Sequence, residues 1–254
     1  MTTNIFSPAR SSDPNDRMPT PERALTIGAH PDDAEFGAGG TLAKWASEGC
    51  YITMLIVSDG SKGTWDPDLD PEALIAARQA EQRRAADRLG ARDVVMLDHV
   101  DGEIVNTVAL RQELSFWIRT TRPDVVLSHD PWKRYMLHPD HRATGMAAID
   151  SIVAARDHLF FPEQLSEHVT KHRPATILLW SADEIDYWED IAATFDVKIA
   201  ALLEHSTQGP TTMASAQANQ DGRQEFVAKL QAWSATMGES VGLEAAEGFK
   251  RLFP

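Results

Sequence analysis

The chain of 254 residues has a single cysteine, Cys50, and this scarcity limits the sites that it can build. One thiol excludes an intrachain disulfide framework and any cysteine-rich zinc or iron–sulfur site. It is also typical of a protein kept in a reducing compartment, so we expect a cytoplasmic location. Any bound metal must be held by carboxylates and by some of the nine histidines.

Long apolar runs and positive charge are scarce as well. No stretch approaches the roughly 20 apolar residues of a membrane-spanning helix. Residues 1–22 are rich in Pro, Ser and Asp and lack the apolar core of a signal peptide, which predicts a disordered leader ahead of one domain at 23–254. The net charge of −14 argues against a general binder of nucleic acid or of anionic membranes. We expect a small-molecule partner, and a homo-oligomer is compatible with the sequence.

Short β-branched runs alternate with longer helical patterns, which is typical of a parallel sheet with crossover helices. Strands are predicted at 24–30, 51–57, 93–97, 124–129 and 176–182. Helices are predicted at 41–48, 72–89, 107–121 and 141–156. The expected fold class is α/β: a three-layer αβα sandwich with a Rossmann-like, mostly parallel sheet and a C-terminal extension. In that extension we expect a helix at 197–205, a loop at 206–222, and helices at 223–236 and 243–251.

Two HPD turns follow predicted strands and carry the residues of a metal site. One turn spans 30–33 after the first strand, and the other spans 138–141 after the fourth. Ligands of doubly wound sheets bind at the carboxyl ends of the strands. If the two turns meet there, His30, Asp33 and His141 offer two imidazoles and a carboxylate, a donor set typical of catalytic zinc. Either turn alone is as well explained by a loop or a helix cap, but their joint occurrence favours the metal.

The same motifs resemble those of a known enzyme family. AHPDDAE at 29–35, GAGGT at 37–41 and HPDH at 138–141 are similar to motifs of the LmbE-like zinc N-deacetylases, also called the PIG-L family. The resemblance extends over most of residues 24–254. It implies an enzyme that removes an acetyl group from an amino sugar, commonly N-acetylglucosamine in a conjugate, with a divalent metal. Zinc is expected, and iron(II) or another divalent ion also suits the donor set.

Roles follow from the resemblance position by position. Asp32 would be the general base that takes a proton from a metal-activated water. His138 would bind the oxyanion of the tetrahedral intermediate, and Asp140 would tune His138 or cap the following helix. The leaving amine would be protonated by Asp32 or by His138, and the sequence does not decide between them. The implied metal ligands are His30, Asp33 and His141.

Four further residues are predicted to bind substrate. Lys62 lies in a Gly-rich turn that needs no function, and Arg78 lies on a charged helix where it could equally face water. Asp101 would bind a sugar hydroxyl, or simply form a DG turn. Tyr135 is the candidate replacement for an oxyanion-assisting tyrosine that some family members carry where this chain has Met136.

Other aromatic and histidine residues complete the prediction. Trp65 and Trp132 lie in loops expected at the mouth of the site, where an aromatic face can stack on a sugar, whereas Trp180 is assigned to the core. His129 would orient a metal ligand or form a satisfied buried pair. His205 is assigned to packing or to the wall of the site.

The leading hypothesis is a metal-dependent hydrolase that removes the N-acyl group of an amino sugar. Its rivals are an amidase that cleaves a larger thiol- or sugar-conjugate amide with the same site, and a non-catalytic relative that binds metal or sugar. A carboxylate beside the ligands, Asp32, favours catalysis. A nucleotide-binding Rossmann enzyme is disfavoured because HPDD, not GxGxxG, follows the first strand.

Overall fold

The computed structural model describes residues 17–209, 211–213 and 220–254 and centres on a seven-stranded sheet. Its strands run in the order β3-β2-β1-β4-β5-β7-β6. The first five are mutually parallel, and β7 pairs antiparallel with both β5 and β6. The strands are β1 (Arg23–Gly28), β2 (Tyr51–Ser58), β3 (Asp93–His99), β4 (Val125–His129), β5 (Thr176–Trp180), β6 (Tyr187–Asp190) and β7 (Ala246–Leu252).

Helices cover both faces of this sheet, and this explains why its central strands are apolar throughout. One apolar cluster joins the sheet to the first, second and fifth helices, and the other joins it to the third and fourth. The helices are α1 (Asp33–Ser47), α2 (Pro71–Leu89), α3 (Val108–Thr121), α4 (Pro139–Ala155), α5 (Phe195–Leu202) and α6 (Gln220–Glu239). The predicted three-layer αβα fold class is confirmed.

The strand order places a topological switch point between β1 and β4. From β1 the chain moves outward to β2 and β3, and then returns to the other side of β1 to form β4 and β5. The loops after β1 and β4 therefore diverge to opposite faces and leave a crevice between them, where α/β proteins bind ligands. Both HPD turns lie at this crevice.

Helix α1 begins at Asp33, earlier than the predicted start at residue 41. The three glycines of the GAGGT motif, Gly37, Gly39 and Gly40, lie within this helix, at positions of close packing. A Cβ atom on Gly37 would lie 2.4 Å from Cγ of Trp180, and one on Gly40 would lie 2.7 Å from Cβ of Ile191. Glycine is therefore needed within this helix to let it approach the sheet.

The helix predicted at 243–251 is wrong, because this segment forms β7. The predicted loop at 206–222 contains a short 3-10 turn at Ser206–Gln208 and the start of α6, while 210 and 214–219 lie outside the described residues. Of the predicted leader, 1–16 also lie outside them, whereas Met18 packs against an apolar cluster of the domain. No described helix has both the length and the apolar character needed to cross a bilayer.

Cys50 precedes β2 and is only 3% exposed. Burial, reinforced by the charge of Asp124, raises the pKa of its thiol to about 12. Because the thiolate is the reactive form, we expect native protein at pH 8 not to react with a disulfide reagent such as Ellman's, and one thiol to react after unfolding. Rapid stoichiometric labelling of the native protein would contradict this burial.

Candidate active site

The two HPD turns meet at the crevice between β1 and β4. Nδ1 of His30 lies 3.4 Å from Oδ2 of Asp33 and 3.3 Å from Nε2 of His141. The same Nε2 of His141 lies 3.2 Å from Oδ1 of Asp33. Two imidazoles and one carboxylate, supplied by two turns that are far apart in sequence, thus direct their donor atoms to a common point.

His30 is held by carboxylates on its opposite ring nitrogen. Nε2 lies 3.1 Å from Oδ1 of Asp101 and 3.1 Å from Oδ2 of Asp140. Burial opposes charge on His30, but hydrogen bonds to Asp101, Asp140 and Asp33 outweigh it and raise the pKa of His30 to about 12. A ligating histidine commonly donates its other N–H to a carboxylate, and this arrangement leaves Nδ1 for a cation.

These contacts change the roles predicted for two residues. Asp140 was expected to tune His138, but its carboxylate contacts His30 and accepts the backbone N–H groups of Gly102 and Ile104. Asp101 was expected to bind a sugar hydroxyl, but one of its oxygens faces His30 and the other accepts the backbone N–H of Lys62. Both carboxylates hold the imidazole and the loops around it, while Asp101 also lines the cavity, and the roles predicted for the two residues stay predictions.

Asp33 is oriented in turn by His129 at the end of β4. The indole N–H of Trp180 donates to Nδ1 of His129 at 3.0 Å, so the proton of this neutral ring is on Nε2. That nitrogen lies 3.1 Å from Oδ2 of Asp33, which also accepts the backbone N–H of His30 at 2.7 Å. Burial lowers the pKa of His129 despite the Asp33 charge, in keeping with a neutral donor. Trp180, assigned to the core, therefore also supports the site.

The donor set at this point fits a divalent metal. Ligand atoms of a tetrahedral zinc site with bonds of about 2.0–2.2 Å lie roughly 3.4 Å apart, close to the separations among His30, Asp33 and His141. Among the described residues, three other groups have mutually close donor atoms: His30 with His138 and His141, Asp33 with His129 and His141, and His30 with Asp101 and Asp140. The set of His30, Asp33 and His141 uses both oxygens of Asp33, one toward His30 and the other toward His141. The group with His138 omits Asp33, and the group with Asp101 and Asp140 requires the nitrogen of His30 that already faces both carboxylates. The group with His129 requires a ring whose Nδ1 already accepts the Trp180 N–H and whose Nε2 already faces Asp33.

Asp32 lies beside these donors, in an uncommon backbone conformation. Its φ is 103° and its ψ is −22°, a left-handed conformation that residues other than glycine adopt rarely. Its side chain makes no hydrogen bond to the start of α1. Burial raises the pKa of Asp32 to about 6, although the charges on Arg78, His205 and His30 oppose the shift. The site thus holds a buried carboxylate outside the group of metal-donor atoms.

Arg78 is buried in the cavity wall, unlike the solvent-facing alternative considered for it. Its Nη2 donates to the carbonyl of Pro31 at 2.8 Å, and its Nη1 donates to the carbonyl of Gly60 at 2.9 Å. Its guanidinium also lies within 4 Å of the carboxylates of Asp32 and Asp101. Its predicted contact with substrate stays a prediction, while its visible hydrogen bonds connect loops of the site.

A cavity of about 650 Å³ opens above the donor atoms. Lys62 lies in its wall and forms an ion pair with Glu103 at 2.9 Å. Trp65, 76% exposed, lies on its rim as the sequence predicted, and Trp233 of α6, 45% exposed, lines it as well. Trp233 was not identified from the sequence, because nothing local to α6 indicates that the helix returns to the site.

Two predicted residues lie outside this cavity wall. Tyr135 is 86% exposed and, like Trp132, does not belong to the described residues that line the cavity. The position of Tyr135 therefore does not support the prediction that it replaces the oxyanion-assisting tyrosine of some family members. His205 is fully buried beneath Asp32, with Nε2 3.5 Å from Oε1 of Glu35, in keeping with the packing role expected for it.

Comparison with known proteins places this arrangement among deacetylases. Residues 25–152 match the model of the PIG-L family, GlcNAc-PI de-N-acetylase. The chain is 33% identical over 189 residues to a diacetylchitobiose deacetylase of Thermococcus kodakarensis, covering 74% of this chain and 71% of the relative. It is 28% identical over 171 residues to a 1D-myo-inositol 2-acetamido-2-deoxy-alpha-D-glucopyranoside deacetylase of Kineococcus radiotolerans, covering 55% of this chain and about half, 47%, of that protein.

Solved structures agree with the sequence relatives and widen the range of activities on this fold. The N,N'-diacetylchitobiose deacetylase of Pyrococcus horikoshii, solved with an inhibitor, superposes with a TM-score of 0.83 at 29% identity, covering 91% of this chain and 84% of that one. A 4-carboxy-2-hydroxymuconate hydratase of Pseudomonas putida superposes with a TM-score of 0.72 at 22% identity, covering 92% and 97%. The second likeness concerns the fold alone, so activity must be argued from the site.

Proposed function

This chain belongs to the PIG-L family of GlcNAc-PI de-N-acetylases, and from that premise we propose that it hydrolyses the N-acetyl group of an amino-sugar conjugate with a divalent cation, zinc by preference. The observation that carries the proposal is the convergence of His30, Asp33 and His141 beside a buried carboxylate that ligates nothing. A binding protein has no need of that extra carboxylate, whereas amide hydrolysis needs a base.

His30, Asp33 and His141 would hold the cation. When bound, a divalent cation supplies Lewis acidity, which makes water a better nucleophile at neutral pH and polarises an amide carbonyl. His129 orients Asp33. Asp101 and Asp140 together orient His30. The carboxylates of Asp33, Asp101 and Asp140 lie around the His30 ring, and their negative charge favours a cation at this point.

Asp32 acts as the general base. Its carboxylate is buried at the floor of the cavity, and burial raises the pKa of Asp32 to about 6 against the opposing charge of Arg78. A base with a pKa slightly below neutrality is ionised at pH 7 and still accepts a proton readily. Once protonated, Asp32 faces the same cavity and can return that proton to the leaving amine.

His138 binds the oxygen of the tetrahedral intermediate. Its ring centroid lies 4.6 Å from those of both His30 and His141, at the open side of the cluster. Loss of solvent around the ring, and then the charges on His30 and His141, lower the pKa of His138. The neutral ring is therefore the form favoured at pH 7, and it stabilises the oxyanion by donating a hydrogen bond.

The cavity supports a conjugate rather than a free monosaccharide as substrate. Its volume of about 650 Å³ falls in the range of sites that enclose drug-sized ligands, which leaves room for a sugar ring and a further group. Two relatives that cover much of this chain, the deacetylases of Thermococcus kodakarensis and Pyrococcus horikoshii, act by their names on diacetylchitobiose. A β-linked disaccharide of N-acetylglucosamine is therefore the first substrate to assay.

Trp233 provides a test of that cavity. If its indole stacks on the sugar or its conjugate, Trp233→Ala will raise KM by roughly threefold to tenfold, the size expected for one aromatic contact, with little change in kcat. Trp132→Ala is the matched control, because Trp132 is also exposed but lies outside the cavity wall. Equal effects of the two variants on KM would show that the cavity does not bind the substrate in this way.

The activity is tested by measuring acetate and free amine released from N-acetylglucosamine, diacetylchitobiose and related conjugates, before and after chelation. We expect release that chelation abolishes and added zinc restores. A larger N-acyl glucosamine assayed in parallel distinguishes a deacetylase from a broader amidase. Acetate and amine release that thorough chelation does not affect would contradict the proposal. Because a hydratase shares this fold, hydration of an unsaturated acid is assayed as well, and hydration with no amide hydrolysis would also contradict it.

A further inference from the structure

The peptide unit that joins Pro31 to Asp32 is held at both of its polar atoms by one helix. Its carbonyl oxygen, on Pro31, accepts from Nη2 of Arg78 at 2.8 Å. Its N–H, on Asp32, donates to Oε1 of Gln82 at 3.1 Å. Arg78 and Gln82 are both buried. Fixing both ends of a peptide unit fixes the plane of that unit, and so restricts the φ angle of Asp32.

The two contacting side chains are one helical turn apart on α2. Residues four positions apart lie on the same face of a helix, so Arg78 and Gln82 project together toward the turn that precedes α1. Gln82 is buried and is not among the described residues that line the cavity. Its hydrogen bond to the backbone N–H of Asp32 is its direct link to a residue that does line the cavity.

Glu35 determines which way the amide of Gln82 faces. Nε2 of Gln82 donates to Oε1 of Glu35 at 2.6 Å, and Glu35 is completely buried. Because the amide nitrogen is committed to this acceptor, the amide oxygen is directed to the N–H of Asp32. His205 approaches the same carboxylate, with Nε2 3.5 Å from Oε1 of Glu35. A chain of buried polar contacts thus leads from Glu35 on α1 through Gln82 on α2 to the backbone of Asp32.

The conformation held by these contacts is one that aspartate does not favour. A φ of 103° at a residue with a Cβ atom costs free energy, which persists only where the surroundings compensate for it. Strain of this kind concentrates at functional sites. At Asp32 the strained backbone directs one carboxylate into the cavity while its neighbour, Asp33, starts α1 and faces His141.

We propose that Gln82 is a positioning residue for the reaction. Gln82 accepts the N–H of Asp32 while Arg78 donates to the carbonyl of Pro31, and together these hydrogen bonds maintain the backbone conformation that directs the Asp32 carboxylate into the cavity. This inference rests on the proposed function, in which Asp32 is the general base. Gln82 touches neither substrate nor the metal donors, so its removal affects the catalytic step and leaves metal binding and substrate binding largely intact.

The primary variant is Gln82→Met, which keeps the length of the side chain and removes both hydrogen bonds. We expect kcat for the zinc-loaded enzyme to fall by about 10- to 100-fold, the cost of displacing a catalytic group by an ångström or less, with KM and zinc affinity little changed. Gln79→Met is the matched control on the same helix. Gln79 is half-buried, and its side-chain amide donates to the exposed carboxylate of Asp98 at 3.0 Å, away from the Asp32 backbone, so its replacement is expected to leave kcat unaltered.

A donor–acceptor exchange distinguishes positioning from general stability. Gln82→Glu alone puts a carboxylate against Glu35, and Glu35→Gln alone leaves two amides in contact. The double variant Gln82→Glu with Glu35→Gln restores a donor facing an acceptor and retains an acceptor for the Asp32 N–H. We expect kcat of the double variant to exceed that of the Gln82→Glu single variant by at least several-fold, and its melting temperature to recover in parallel.

Crystal structures of the metal-free variants supply the readout that is independent of activity. In Gln82→Met we expect φ of Asp32 to leave the left-handed region, and in the double variant to return to it. An unchanged φ in Gln82→Met, or a kcat equal to that of the parent enzyme, would overturn the proposal. Asp32→Asn is assayed alongside: if that variant is fully active, the proposed function fails instead, and the crystallographic result still decides whether Gln82 sets the backbone.

Discussion

Replacing Asp32 with asparagine removes most of the turnover, by about 10²- to 10⁴-fold, and leaves the metal in place. The magnitude is that of general acid–base catalysis by a positioned side chain. Asparagine matches aspartate in shape but cannot accept the proton of the attacking water. Since the proposed metal ligands are His30, Asp33 and His141, whose donor atoms lie together, zinc stoichiometry after dialysis is expected to match that of the parent enzyme.

Asp68→Asn provides the control for this experiment. It makes the same chemical change at an exposed position of the loop after β2, and its kcat is expected to equal that of the parent. Steady-state kinetics on diacetylchitobiose and elemental analysis of the same samples measure both quantities. Full activity of Asp32→Asn with one metal per chain would remove Asp32 from the mechanism and leave the metal site standing.

His141→Ala has the larger structural consequence, because it removes one of three donors. Loss of a residue that merely supports a ligand costs roughly 10- to 100-fold in metal affinity, and we expect loss of the ligand itself to cost more. The variant should retain little zinc after dialysis and show no measurable activity. A ligand that binds the folded state raises the melting temperature, so added zinc should stabilise the parent and fail to stabilise His141→Ala at the same concentration.

His138→Ala is the informative comparison for His141→Ala. The two histidines lie in the same motif with ring centroids 4.6 Å apart, but only His141 has a donor atom facing both His30 and Asp33. We expect His138→Ala to retain zinc and its stabilising effect while losing turnover. Zinc loss from His138→Ala with retention by His141→Ala would exchange the two assignments.

The strands and the convergence of the two turns were predictable because they depend on local pattern and on a general rule of topology. Runs such as 51–57 are apolar at almost every position, as is typical of strands covered on both faces. The crevice at the carboxyl ends of β1 and β4 follows from doubly wound connectivity. The placement of His30 near His141 therefore needed no knowledge of distant packing.

The elements that were not predicted depend on contacts between distant segments. Residues 246–252 contain Ala, Glu, Lys, Arg and Leu, which favour a helix locally. Pairing with β5 on one side and β6 on the other makes them a strand instead. The early start of α1 and the approach of its glycines to Trp180 and Ile191 likewise depend on packing that the local sequence does not show.

The sequence predicted which residues belong to the site better than it predicted which side chains they contact there. Asp101 and Asp140 were recognised as site residues, but the sequence did not reveal that both face Nε2 of His30. Gln82 and Trp233 lie on helices whose local patterns show only ordinary amphipathic character. Their positions near Asp32 and at the cavity depend on how α2 and α6 pack, which only the folded chain shows.

One divalent cation held by His30, Asp33 and His141 is the proposal on which the whole mechanism depends. Diffraction from zinc-loaded crystals on both sides of the zinc absorption edge locates the metal without reference to activity. We expect a single strong anomalous peak adjoining Nδ1 of His30, the carboxylate of Asp33 and Nε2 of His141. A peak on the other side of His30, between Asp101 and Asp140, or no peak after reconstitution, would contradict the proposal.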